Sequence, residues 1–298
     1  MIGMVHFMSN RILFCGAEGI GNVIQTIPVV RTIKEILGYD VDYWYAFGSF
    51  GIPKIMPYVD KWLTASEINK INPLEYEGSV STSWTASYLR GLPRLLNAIR
   101  KFKPHGESEI DTYMYMARDL GAKEEDLIWY GNCMYDDRPE SYDVVIHDGY
   151  NRKGDPVWQL KSFPYYKEVV EKLSGLKICS VGSKSEYIPG TDNKTGLPLL
   201  DTLGIIKNSS LFLGNDSGLY HCANALGTNN LVIFNFTSTI KNYDQRFHKY
   251  ATIITREDLD CRPCQNTSRF KTCITRECRE IEPSIVVAAV RRKLNGLA

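Results

Sequence analysis

A chain of 298 residues, 23% charged and 44% hydrophobic, has a soluble globular composition and enough length for two domains with separate cores. Its formal net charge of +1 provides no global attraction to nucleic acid or an anionic membrane, so any such affinity must come from a local patch. No apolar run reaches the length of a membrane span, and Met1–Asn10 lacks the charged start and long apolar core of a signal peptide, so a cytosolic chain is the expectation.

In chain order, Arg11–Gly16 is a short apolar run ending in glycine, the pattern of a buried strand. Glu18–Gly21 reads as a glycine-punctuated turn. Val23, Ile24, Ile27, Val30, Ile33 and Leu37 then recur at helical spacing, with a kink expected at Pro28. Val41–Phe47, rich in aromatic and β-branched residues, predicts the next strand. The opening is therefore β-α-β, which points to a parallel sheet flanked by helices. Ser79–Trp84 reads as a further strand. Leu89–Phe102 reads as a helix; with Lys103, this stretch carries Arg90, Arg94, Arg100 and Lys101 and no acidic residue. That stretch suits a solvated basic face, or a surface receiving a phosphate-bearing or lipid-linked acceptor. Glu107–Leu120 is one more helix, closed by Gly121.

Cys133–Tyr142 is polar, turn-prone and contains proline, and reads as an interdomain linker, giving domains 1–138 and 139–298. The β-α pattern then resumes: strand Val144–His147, helix Leu160–Leu173, strand Lys177–Val181, helix Leu199–Lys207 and strand Leu211–Leu213. Gly214–Gly227 follows as a tight turn and helix, then Leu231–Phe236 as a strand and Glu282–Leu294 as an amphipathic final helix. In open α/β sheets ligands bind at the carboxyl ends of the strands, so two such domains are expected to face one another across a cleft.

The Gly214–Gly227 segment carries the clearest chemistry. Asn215, Asp216, Ser217 and Gly218 are turn and N-cap residues, followed by Leu219, Cys222, Ala223 and Leu226 at helical spacing. A first turn holding Ser217 and Gly218 offers unpaired backbone N–H groups at a positive dipole end, where a diphosphate would bind. His221, one turn in, would point back over the same anion. The plainer alternative is an ordinary crossover with Asp216 as helix cap.

Cys15, Cys133, Cys179 and Cys222 sit among apolar neighbours as small core residues. The other four, Cys261, Cys264, Cys273 and Cys278, are spaced C-x2-C-x8-C-x4-C, which suits a structural zinc; disulfides or free thiols are the alternatives.

The pair Gly19–Glu35 (GIGNVIQTIPVVRTIKE) and Phe212–Ser238 (FLGNDSGLYHCANALGTNNLVIFNFTS) resembles glycosyltransferase family 9, whose best-known members are lipopolysaccharide heptosyltransferases. Ile146–Tyr150 (IHDGY), the W-x-L-x-x-F of Trp158–Phe163 and a cysteine-bearing tail agree in order. The resemblance implies a GT-B architecture of two Rossmann-like domains, the first binding acceptor and the second binding a nucleoside diphosphate-sugar, with inverting transfer to a glycan hydroxyl and no catalytic metal. The final helix would pack back on the first domain.

On this resemblance Ser217, Gly218 and His221 would hold the diphosphate. Asp216 would orient the donor sugar or cap its helix, Thr237 would lie near the phosphates, and Glu186 would bind the ribose or remain a solvated loop acid. The family's lysine before the tryptophan is replaced by Val157, leaving Lys161, Arg152 or Lys153 for the phosphate. The family's catalytic aspartate is replaced by Asn22, which cannot take a proton at neutral pH. Glu18 and then Asp148 are the candidate bases. Alternative readings are transfer to a nucleic-acid base or protein, peripheral contact with the inner membrane face, and a degenerate module that binds nucleotide-sugar without turnover. An NAD-dependent oxidoreductase is disfavoured because Gly16, Gly19 and Gly21 do not fit G-x-G-x-x-G.

Overall fold

The computed structural model describes residues 10–16, 19–45, 55–64, 66–72, 75–81, 99–101, 108–150, 156–265 and 267–296. The chain divides into two compact units, Met1–Gly131 and Asn132–Ala298.

The first unit is built on a five-stranded parallel sheet, ordered β3-β2-β1-β4-β5. Its strands are β1 (Arg11–Gly16), β2 (Asp40–Tyr45), β3 (Lys61–Leu63), β4 (Gly78–Ser81) and β5 (Ile99–Lys101). The hydrophobic run Ile12–Cys15 is central and fully buried, as a strand covered on both faces should be. The helical stretch after it is two helices, α1 (Ile20–Gln25) and α2 (Ile27–Glu35). Pro28, at the second position of α2, has no N–H to continue the ladder, which accounts for the break. At the junction Thr26 turns its hydroxyl onto the Val23 carbonyl at 2.7 Å. Gly21 and Asn22 lie inside the first turn of α1, not in the preceding loop; the N-cap is Gly19, whose φ of +87° suits glycine alone.

α3 (Glu109–Asp119) begins at a true cap, with Ser108 Oγ accepting from the Asp111 N–H at 3.0 Å. It ends ahead of Gly121, which sits at φ +105°. The helix expected over Leu89–Phe102 is corrected at its end, because Ile99–Lys101 pairs with β4 as an edge strand. The earlier part of that stretch lies outside the described residues.

The second unit carries a six-stranded parallel sheet, ordered β11-β10-β9-β6-β7-β8. The strands are β6 (Val144–His147), β7 (Ile178–Ser180), β8 (Asp192–Asn193), β9 (Leu211–Asn215), β10 (Asn230–Phe234) and β11 (Ala251–Thr255). The helix expected over Leu160–Leu173 is corrected to a 3-10 segment, Pro156–Lys161, followed by α4 (Tyr166–Lys172). Pro164 lies in the gap. The carbonyls freed there are taken by Asn235, whose Nδ2 lies 3.0–3.2 Å from those of Leu160, Lys161 and Ser162.

α5 (Leu199–Lys207) and α6 (Gly218–Ala225) precede and follow β9. The short α7 (Thr239–Asn242) and α8 (Arg269–Thr272) come later, before the final α9 (Pro283–Leu294). The final helix packs on its own unit: Val286 and Val290 are fully buried in one cluster with Val169, Leu213 and Ile233, and Arg291 donates to the Lys172 carbonyl.

Candidate functional site

The candidate site is built at the carboxyl ends of β6, β9 and β10. Parallel pairing of β9 with both neighbours carries Asn215, Asp216 and Ser217 to that end of the sheet, at the mouth of α6. Asp216 does not cap the helix. It is 2% exposed and turns inward, where its Oδ2 accepts from Lys161 Nζ at 3.1 Å and from Asn242 Nδ2 at 2.8 Å. Lys161 also donates to the Asp216 carbonyl at 2.8 Å, and its ammonium lies 5.3 Å from the Trp158 ring centroid. The 3-10 segment thus delivers a cation to the N-terminal end of α6.

Ser217 is the N-cap residue, yet its side chain makes no capping bond. Its Oγ instead lies 3.1 Å from His147 Nδ1. His147 Nε2 lies 3.3 Å from Glu186 Oε2, and that same oxygen accepts from the Ser183 N–H at 2.7 Å. The carboxylate therefore accepts from Nε2–H of His147, and the Nδ1 side of the ring faces the serine hydroxyl. Burial would raise the Glu186 carboxyl, but its bonds with His147 and Ser183 outweigh burial and leave it below its ordinary value. Glu186 is 7% exposed, so the solvated-loop reading is corrected. Glycine keeps this corner open: a Cβ on Gly149 would stand 2.1 Å from the His147 ring.

Asp148 sits beside this group with both oxygens engaged, accepting from Ser162 Oγ and from Asn215 Nδ2 at 2.9 Å each. Asn215 is held in turn by Tyr166, whose hydroxyl donates to its Oδ1 at 2.7 Å. Thr237 is fully buried after β10, and its hydroxyl has no hydrogen-bond partner among the described residues.

His221 is 4% exposed, and its Nδ1 lies 2.9 Å from His248 Nε2. Burial, with Lys161 nearby, pushes its pKa down to about 3, so the ring is neutral at physiological pH. Asp216, Ser217, Gly218, His221, Lys161 and Glu186 thus belong to one connected corner of the second unit. Asn22 is half-buried in the first unit, on α1. Glu18, Arg152 and Lys153 lie outside the described residues.

Sequence reading missed His147, Asn235, Asn242 and His248. The first is quoted in IHDGY without a role, and the other three are isolated polar residues whose partners lie 26 to 75 positions away.

The cysteine segment packs beneath the same 3-10 turn, where Cys264, Cys278, Phe270, Phe236 and Leu160 form one cluster. Burial raises the Cys264 thiol, with Cys273 and Cys261 adding to the effect; burial and then Cys264 push Cys278 up to about 11. The thiols are electrostatic neighbours. No three His, Cys, Asp or Glu side chains among the described residues stand together as a metal-binding group.

The family model for glycosyltransferase family 9 (heptosyltransferase) matches residues 194–274, a range that includes Asp216, Ser217, Gly218, His221 and Thr237 but not His147, Asp148, Lys161 or Glu186. The chain resembles glycosyltransferase family 9.

No curated protein matches the sequence. Among solved structures, the ADP-heptose lipopolysaccharide heptosyltransferase II of E. coli superposes with a TM-score of 0.69 at 16% identity, over 96% of this chain and 99% of that one. The E. coli heptosyltransferase WaaC with ADP gives 0.65 at 13% identity, over 95% and 99%. The iron-containing dodecameric glycosyltransferase TibC of enterotoxigenic E. coli H10407 gives 0.65 at 16% identity, over 96% and 78%. The fold is the GT-B fold of these heptosyltransferases. Among the described residues no helix is long and apolar enough to cross a membrane.

Proposed function

We propose that this protein is an inverting glycosyltransferase that moves a sugar from a nucleoside diphosphate-sugar to a hydroxyl of a surface-glycan acceptor. The observation that carries the reading is Lys161, an ammonium held by Asp216 at the N-terminal end of α6. As the glycosidic bond breaks, negative charge grows on the departing diphosphate. A preset cation and helix N–H groups stabilise that charge more than they stabilise the substrate. A solved relative of the same fold is described with ADP.

In this reading Ser217 and Gly218 supply N–H groups to the diphosphate and Lys161 supplies charge. His221 donates a neutral N–H, and Thr237 offers its unpartnered hydroxyl. Glu186 has the role of holding His147, in addition to any contact with the donor ribose. The test is a thermal-shift screen with ADP, GDP, UDP and CDP and their sugar conjugates. At least one is expected to raise Tm in the wild type and to lose that effect in Lys161→Met. No response to any of them would sink the reading.

Asn22 supports a second reading, in which the protein binds nucleotide-sugar without transfer. Glu18 and Asp148 remain the proposed bases. Transfer or hydrolysis of a nucleotide-sugar that disappears in Glu18→Gln or Asp148→Asn would reject the binding-only reading.

The cysteine segment carries a separate proposal: Cys261, Cys264, Cys273 and Cys278 close on a structural zinc, the side chains converging from their present positions. Iron is the other candidate, since TibC is described as iron-containing. Elemental analysis of protein prepared without chelator decides it. Four freely titrating thiols and no metal remove the proposal.

A further inference from the structure

His248 is fully buried, and its Nε2 lies 2.9 Å from Nδ1 of the His221 ring. Three links fix the proton positions. The backbone N–H of Asp244 donates to His248 Nδ1 at 2.9 Å, so that nitrogen is an acceptor and the ring proton sits on Nε2. His248 Nε2–H then points at His221 Nδ1, 2.9 Å away, which makes that nitrogen an acceptor too. The His221 proton is left on Nε2, which lies 4.0 Å from Asp216 Oδ1, on the side of the candidate donor site.

The relay is mechanically held. Tyr220 stacks on His248 at 4.9 Å and 11°, Tyr243 stacks on it at 5.6 Å and 20°, and Phe247 meets it edge-on. The carboxylate of Asp244 is clamped by Arg246 at 2.9 and 2.7 Å, which steadies the residue whose N–H starts the chain. A second proton on His221 would set two N–H groups against one another at His248. A second proton on His248 would do the same at the Asp244 N–H. Both rings therefore stay neutral for as long as the relay is intact, whatever Lys161 and Asp216 do on the other side.

We infer that His248 is a positioning residue: it locks His221 in the Nε2–H tautomer and aims that donor at an oxygen of the bound phosphate or sugar. The tautomer part stands on geometry alone. The ligand part rests on the donor site proposed above. A preset donor avoids the cost of reorienting a ring when the ligand arrives.

The test is long-range proton–nitrogen NMR of the imidazoles in uniformly nitrogen-15-labelled protein without ligand. Expected are single Nε2–H tautomers for both rings and no titration of either between about pH 5.5 and 8, where an unperturbed histidine changes charge. An Nδ1–H signal at His221, or its titration in that range, overturns the inference. In His248→Leu the His221 tautomer should become mixed, while His248→Gln, whose amide can still donate to Nδ1, should keep Nε2–H. If His248→Leu does not fold, the wild-type spectrum together with His248→Gln still decides. Addition of ADP, GDP or UDP should then move the His221 Nε2 resonance. A fixed tautomer with no response to any nucleotide leaves the tautomer lock standing and rejects both the aiming role and the donor site.

Discussion

Lys161 Nζ lies 2.8 Å from the Asp216 carbonyl oxygen and 3.1 Å from its Oδ2, with the carboxylate all but sealed from solvent. One cation thus holds both the backbone and the side chain of the residue just before the N-cap of α6. Removing it leaves a buried carboxylate with Asn242 as its remaining side-chain hydrogen-bond donor within normal distance among the described residues.

Lys161→Met is expected to cost about 3 kcal/mol, the low end for breaking a buried pair, because Asn242 stays and the lysine is partly exposed. Asp216→Asn should cost less. The double variant should fall short of the sum, since both changes remove one shared interaction. Urea unfolding of the three variants measures this. Additive costs would mean that the two groups do not support one another.

Gly182 is strained for any other residue. It sits at φ +117°, and a Cβ there would stand 2.2 Å from Glu186 Oε2 and 2.7 Å from the His147 ring. Gly182→Ala is expected to destabilise the protein by about 2 kcal/mol or more and to pull Glu186 away from His147. A wild-type Tm in that variant would contradict the geometry.

The buried histidines predict acid sensitivity that begins near neutrality. In the unfolded chain each takes a proton near pH 6.5, whereas folded His221 resists down to about pH 3 and burial holds His248 well below its ordinary value. Between those limits the unfolded state binds more protons, so stability falls as pH falls. The slope approaches about 1.4 kcal/mol per pH unit for each proton. Denaturant titrations from pH 7 to pH 4 should show it, and His248→Gln should make it shallower.

Glu186 acts lower on the scale. Its folded pKa is depressed, so its contribution is full above the unfolded carboxyl value of about 4.3 and is lost as pH drops through the folded value. Glu186→Gln is expected to be less stable than the wild type at pH 7, with the difference closing below about pH 4. A difference independent of pH would assign the residue to packing and capping alone.

Most of the architecture was legible because it rests on local pattern. The buried runs of β1, β6, β9 and β10, the extent of Leu199–Lys207 and the kink at Pro28 follow from hydrophobic spacing and from proline's missing N–H. Sequence reading failed where a local break or a long-range contact overrides helical spacing. Leu160–Leu173 has helical spacing, but Pro164 interrupts it, a local signal the spacing outweighed, and the distant Asn235 meets the carbonyls left at the break. Ile99–Lys101 looks helical beside its basic neighbours, yet pairs with an open sheet edge.

At the site, the sequence by itself determined the turn Asp216–Ser217–Gly218, the helix it opens and the presence at position 22 of an asparagine, which cannot act as a base, since these depend on residue type and spacing. Only the tertiary structure decided what those side chains do. Asp216 turns inward to Lys161 and Asn242, Ser217 faces His147, and His221 takes its tautomer from His248. Hydrogen-bond partners are chosen by distance in space, and a buried polar group takes whichever one the fold brings within about 3 Å.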